Sequence, residues 1–284
     1  MGLVDLHLHT SVSDGEYAPA TLMRLALAAG AGLVAVTDHD STGGVAEGRA
    51  AALEAGLDFV PGIEISTDAE NEQHILGYLI DIEDAGLRRA CDGFLSMREE
   101  RIARVLAYLA ARGVCPDRAE IGARGAYVGR PHIAAALVRA GCAASVEDAF
   151  RRYLTGEEFE KVNRPKPTAR ESIDAIRSAG GVAALAHPHS LRLEGEAFEA
   201  AIVGLRKLGL GALECHYGTY GPERRDAYVR MAERYGLVIT GGSDFHGPRV
   251  KPGIEIATGR GGLLDFNDLG VVESLRIAAR SRRG

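Results

Sequence analysis

The chain of 284 residues has few cysteines, and no two of them are spaced as a metal-binding or redox pair. Cys91, Cys115, Cys142 and Cys215 stand far apart, which excludes a CxxC centre and suits the reduced thiols of a cytosolic protein. No apolar run approaches the roughly 20 residues that a membrane-spanning helix needs. The opening apolar stretch is interrupted at once by Asp5 and His7, unlike a secretory leader. There is no long basic run, and the formal net charge is −6, which argues against a surface for the backbone of long nucleic acid. What these absences leave is a cytoplasmic globular protein, with no membrane role and no obligate protein partner evident.

What is present is a rhythm. LVDLHLH reads as a strand, and PATLMRLALAAG as an amphipathic helix, with Pro19 in its first turn and Gly30 at its end. GLVAVTDHD, LDFVPGIEIS and QHILGYLID read as further strands, with the helix GVAEGRAAALEAG between the first two. The rhythm returns later as GVAALAHPH, GALECHY and LVITGGSDFH, each preceded by a helical stretch, and a last helix runs through DLGVVESLRIAARSR. Between them lies a long helical segment rich in Arg and Glu. The expected architecture is α/β: a distorted TIM-like (β/α)7 barrel from residues 1–84 and 165–284, with a helical insertion at 85–164 near its mouth. A doubly wound open sheet is the alternative.

Metal-binding side chains recur where the strands end. They are His7 and His9, Asp14, Asp38 and His39, Glu64, His74, His187, and Asp244 and His246. Six of the nine histidines belong to this set, whereas scattered histidines would fall as often on helix faces. At the strand ends of a barrel, residues far apart in sequence become neighbours. Each has a plainer reading when taken singly: an exposed strand edge, a solvated carboxylate, or a turn in which Asp38 or Asp244 caps a helix. Those readings would all have to hold at once. Imidazole and carboxylate donors without thiolate suit Mn²⁺, Fe²⁺ or Zn²⁺, and there are more of them than one ion needs. Two or three divalent ions fit.

HLH near the start, TDHD, the later Glu64 and His74, AHP and SDFH together resemble the dispersed signature of the PHP (polymerase and histidinol phosphatase) family, within the amidohydrolase-like group. The likeness spans the chain, and GRPHIA at 129–134 resembles a segment of its standalone phosphoesterases. The resemblance implies a seven-stranded distorted barrel with a multinuclear centre. In family terms His7, His9, Glu64 and Asp244 hold one ion. Glu64 bridges to a second, held also by His74 and His187, and Asp14, His39 and His246 hold a third. One local departure is ECHYGTYG, where His216 stands earlier than the histidine that relatives often carry near the position of Tyr220.

The implied activity is hydrolysis of a phosphate ester by a metal-bridging hydroxide, with His216 or His189 serving the leaving group or the phosphate. The implied substrate is a small phosphorylated metabolite: a nucleoside 3′,5′-bisphosphate, a short 5′-phosphorylated oligonucleotide, a cyclic or bisphosphorylated sugar, or histidinol phosphate. Positive charge for such an anion must be local. Arg130 and His132 in GRPHIA, with Lys161, Arg164 and Lys166 in EKVNRPKP, are the candidates, and Arg130 is favoured for its bidentate geometry. Two other functions compete. Hydrolysis of C–N or C–O bonds commonly uses a carboxylated lysine, but Glu64 takes its place here. A noncatalytic metal-braced module would not need the full ligand set.

Overall fold

Apolar Val4, Leu6 and Leu8 alternate with Asp5 and His7, and this period of two makes β1 (Leu3–Leu8). The computed structural model describes residues 2–69, 71–121, 128–164 and 166–281. After β1 come α1 (Pro19–Ala28), β2 (Ala31–Val36), α2 (Val45–Ala55), β3 (Asp58–Ser66) and β4 (His74–Tyr78). A helical stretch follows: α3 (Ala85–Ala110), α4 (Arg118–Ile121), α5 (Arg130–Arg139), α6 (Val146–Tyr153) and α7 (Glu157–Val162). The alternation resumes with α8 (Ala169–Ser178), β5 (Val182–Leu185), α9 (Gly195–Leu208), β6 (Ala212–Tyr217), α10 (Pro222–Tyr235) and β7 (Val238–Gly242), and closes on α11 (Val271–Arg280).

The seven strands pair in chain order. The sheet nearly closes on itself: Leu8 bridges Phe245 in parallel, the Asp244 N–H donates to His7 O at 2.9 Å, and the His9 N–H donates to Phe245 O at 3.1 Å. An open doubly wound sheet has no such seam, so the barrel is the correct alternative. The seam is tight. A Cβ on Gly242 would lie 2.3 Å from the Cβ of His7, so only glycine fits there.

One strand departs from the parallel pattern. β4 runs antiparallel to both β3 and β5. The connection 67–73 explains it, being too short for the crossover of a dozen or more residues that a parallel neighbour requires. As a result β4 begins at the rim where the parallel strands end.

The chain divides into two compact units: 1–91 with 168–284, and 92–167. Residue 165, at the expected boundary, lies outside the described residues. In the first unit, Val4, Leu33, Val60, Leu76, Val182 and Phe266 belong to one buried apolar cluster. Burial of each such side chain is worth about 1.5–3 kcal/mol. The second unit has its own core, including Ile102, Leu109, Leu137 and Phe159. Among the described residues no helix is long and apolar enough to cross a membrane.

Candidate metal centre

β1 ends by delivering His7 and His9 side by side, with ring centroids 5.2 Å apart. The next loop brings Asp14 back over them. Gly15 lets it turn, since a Cβ there would sit 2.2 Å from the His9 carbonyl oxygen. Asp38, at the end of β2, clamps that loop. Its carboxylate accepts from the Thr10 N–H at 2.8 Å, the Thr10 hydroxyl at 2.7 Å and the Ser13 hydroxyl at 2.6 Å. Asp38 therefore neither caps α2 nor faces the donors, while its neighbour His39 does face them.

Glu64, fully buried near the end of β3, is the hub. Its Oε1 lies 2.9 Å from His74 Nδ1 and 3.0 Å from His187 Nε2. Its Oε2 lies 3.2 Å from His7 Nε2, 3.1 Å from His9 Nε2 and 3.3 Å from His39 Nδ1. Asp244 Oδ1 lies 3.4–3.5 Å from His7, His9 and His246. Asp14 lies 3.3 Å from His246 Nε2 and 3.8 Å from His39 Nε2. All nine expected donors thus converge. Donor atoms of His7, His9, Glu64 and Asp244 lie within 4.8 Å of one another, as do those of His9, Asp14, His39 and His246. Glu72, an exposed loop residue that the sequence reading passed over, joins His74 and His187 in a further group. Strain accompanies the assembly: His187 and Asp244 hold φ of +27° and +56°, a conformation costing of order 1–3 kcal/mol in a non-glycine residue.

Ring orientation shows what the cluster can hold. The Nδ1–H of His7 donates to Glu214 Oε1 at 2.8 Å, since a carboxylate only accepts. That of His246 donates to the Asp244 carbonyl at 3.0 Å. Ser190 Oγ, 2.9 Å from His187 Nδ1, has its own proton directed to a carbonyl, so it too accepts. Each of these rings therefore turns its Nε2 to a carboxylate oxygen, and a positive charge must lie between the two: a proton in the metal-free protein, a metal ion in its place once one binds. Consistently, His7 Nε2 and both ring nitrogens of His9 are buried without a hydrogen bond. Although burial alone would lower them, the carboxylates around His7 push its pKa well up, and Asp244 and Glu64 push that of His9 up to about 10. Burial opposes charge on Glu64 too, yet the imidazoles around it hold its pKa well below the carboxylate range. The donor set fits divalent cations: borderline nitrogens, hard oxygens and a carboxylate whose two oxygens face separate histidine groups.

Behind the donors stands Glu214, buried in β6, which was not foreseen. Its Oε2 accepts the His187 N–H at 2.5 Å while Oε1 orients His7. Carboxylates that orient metal-binding histidines typically affect metal affinity or activity about 10–100-fold. Glu214→Gln is expected to weaken Mn²⁺ binding by a factor in that range, measured by titration of the metal-free protein.

Two residues on from Glu214, the expected catalytic group His216 packs its ring on Phe266 at 4.9 Å and takes a backbone hydrogen bond at Asp265, away from the nine donors. A bulge in the β6–β7 pairing between Glu214 and His216 explains this. An extra residue shifts the alternation, so Tyr217 takes the inward direction. The Tyr217 hydroxyl donates to Asp244 Oδ2 at 2.7 Å, and its ring lies 5.9 Å from that of His187. His189, on the turn after β5, is 6.2 Å from the His187 ring. The Tyr220 hydroxyl accepts the His189 backbone N–H at 3.3 Å and lies 2.8 Å from its Nδ1. Burial first, then His187, Arg224 and Lys251, lower the His189 pKa to about 4, so it is neutral at pH 7. In the second unit, Arg130 opens α5, 3.4 Å from Glu160, and His132 Nδ1 accepts the Gly129 N–H at 3.1 Å. Lys161 pairs with Glu157 at 2.7 Å, and Arg164 is exposed just after α7.

The PHP domain signature matches residues 5–110. A 3′,5′-nucleoside bisphosphate phosphatase from Chromobacterium violaceum is 32% identical over 87% of this chain and 88% of its own length. The 5′-3′ exoribonuclease Rnm of Escherichia coli is 33% identical over 87% of this chain and 86% of its own. A solved protein from Bifidobacterium adolescentis, assigned to the metal-dependent phosphoesterases, superimposes with a TM-score of 0.79 at 30% identity, covering 97% of this chain and 96% of that one.

Proposed function

The chain belongs to the PHP family of metal-dependent phosphoesterases, and from that membership we propose that it removes phosphate from a small bisphosphorylated nucleotide, using two or three divalent cations held by the nine-residue cluster. The observation that carries this reading is the convergence of the Nε2 atoms of His7, His187 and His246 on carboxylate oxygens at 3.0–3.3 Å. Glu64 would contribute to two of the ion sites, since its Oε2 faces His7 and His9 and its Oε1 faces His74 and His187. His7, His9 and Asp244 would join it at one ion and His74 and His187 at a second, and Asp14, His39 and His246 would hold a third. Mn²⁺, Fe²⁺ and Zn²⁺ all suit these donors. Cations bound there would neutralise phosphate oxygens and activate water at neutral pH.

The protein's own groups do the rest. Glu214, Ser190 and the Asp244 carbonyl hold the rings through Nδ1 with Nε2 turned inward, so no reorganisation is needed when substrate arrives. His189 is held through Nδ1 by the Tyr220 hydroxyl, and in its Nε2–H tautomer it would be a donor suited to a phosphate or leaving-group oxygen. A small substrate is favoured over a long one by the acidic balance of the chain. The test is phosphate release by Mn²⁺-loaded protein from nucleoside 3′,5′-bisphosphates, sugar phosphates and 5′-phosphorylated oligonucleotides of increasing length. The expected result is the highest kcat/KM on the bisphosphates. Activity that rises with oligonucleotide length, or none on any ester, would overturn the reading.

A further inference from the structure

The loop after β7 carries a cation that no sequence motif marked. Lys251 Nζ donates to Asp244 Oδ2 at 2.5 Å and to the Tyr217 hydroxyl at 3.0 Å. Asp244 is thereby divided: Oδ1 faces His7, His9 and His246, while Oδ2 is held by Tyr217 and Lys251. The ammonium has three donors, and the structure gives two of them partners. Its side chain is 31% exposed, against 8% for that of Asp244, so it stands at the open edge of the cluster. It is also pre-positioned. The Lys251 N–H donates to the Gly247 carbonyl at 2.8 Å, and Arg249 in the same turn binds Glu16 through its N–H at 3.1 Å and its Nε at 2.8 Å.

We propose that Lys251 is a substrate-binding residue whose remaining donor takes a phosphate oxygen at the edge of the metal cluster, with Tyr217 and Asp244 holding the ammonium in place. This rests on the phosphoesterase reading and adds a specificity-determining group to it. An ammonium is a point charge that serves any phosphate oxygen in reach, so it recognises the phosphoryl group and not the nucleoside. Cations bound at the Oδ1 side would share the charge of Asp244 and leave more of that of Lys251 to the incoming dianion.

The test is calorimetric titration of inorganic phosphate into Mn²⁺-loaded wild type, Lys251→Met and Lys251→Arg, with bound Mn²⁺ and the thermal midpoint of each recorded. Lys251→Met is expected to bind phosphate about tenfold or more weakly with Mn²⁺ content unchanged. Lys251→Arg is expected to stay within a fewfold of wild type, and on an active ester the Met variant should raise KM more than it lowers kcat. Wild-type affinity in Lys251→Met, a loss that tracks lost Mn²⁺, or no phosphate binding by the wild type would overturn the proposal. Phosphate binding that depends on Lys251 in a protein that hydrolyses no ester would instead overturn the activity and leave the residue's role standing.

Discussion

Glu64→Gln is expected to lower kcat/KM for phosphate release by about a thousandfold, roughly 4 kcal/mol of transition-state stabilisation. The side chain keeps its shape but loses its charge, and one of its two acceptors becomes an amide donor. Five imidazole nitrogens lie within 2.9–3.3 Å of the wild-type carboxylate, so the amide must point N–H groups at rings that offer lone pairs or N–H groups of their own. Among the described residues no other carboxylate faces both histidine groups in this way. Elemental analysis should find less metal per chain than in the wild type, and the two readouts should fall together. A Glu64→Gln protein with full metal content and full activity would mean that the carboxylate is only a structural partner of the histidines.

Chelation is the second large effect. The cluster sets two buried carboxylates and the partly buried Asp14 among six buried imidazoles, with Glu214 behind them, and these groups cannot relax into water while the barrel stays closed. Ligands that bind only the folded state add RT ln(1 + [L]/Kd), about 2.7–4.1 kcal/mol at 100–1,000 times Kd. For a chain of this size about 1 kcal/mol moves the thermal midpoint 2–4 °C, so removing the metal should lower it by roughly 5–15 °C. Calorimetry with and without a chelator, followed by Mn²⁺ add-back, measures this. An unchanged midpoint in protein shown by elemental analysis to have lost its metal would argue that protons alone satisfy the site.

Much of this molecule was legible in its sequence because two kinds of signal are local. The apolar alternation of LVDLHLH or LVITGG marks a strand wherever it lies, and polar donors at the ends of such segments stand out against that pattern. All nine expected donors meet for that reason. What remained illegible depends on pairing. The reversal of β4 is set by a short connection, whereas QHILGYLID alone looks the same in either direction. His216 faced the wrong way because a bulge is a relation between two strands, and GALECHY carries no mark of it. Glu214, read as one more residue of that strand, orients two histidines that only the folded chain brings to it. Lys251 sits in a turn with no periodic pattern, and nothing beside it in the sequence marks its pairing with Asp244.

The seam between β1 and the segment after β7 has a kinetic meaning. Glu64 and His74 belong to one hairpin and meet early, since they are close along the chain. His7 and His9 meet Asp244 and His246 only when the two halves of the strand order have come round to each other. A nascent or partly unfolded chain can therefore offer at most a weak pair of donors, and tight capture of cations waits on ring closure. Stoichiometric metal content is thus a fold sensor, reporting that the amino-terminal strand has found its distant neighbour.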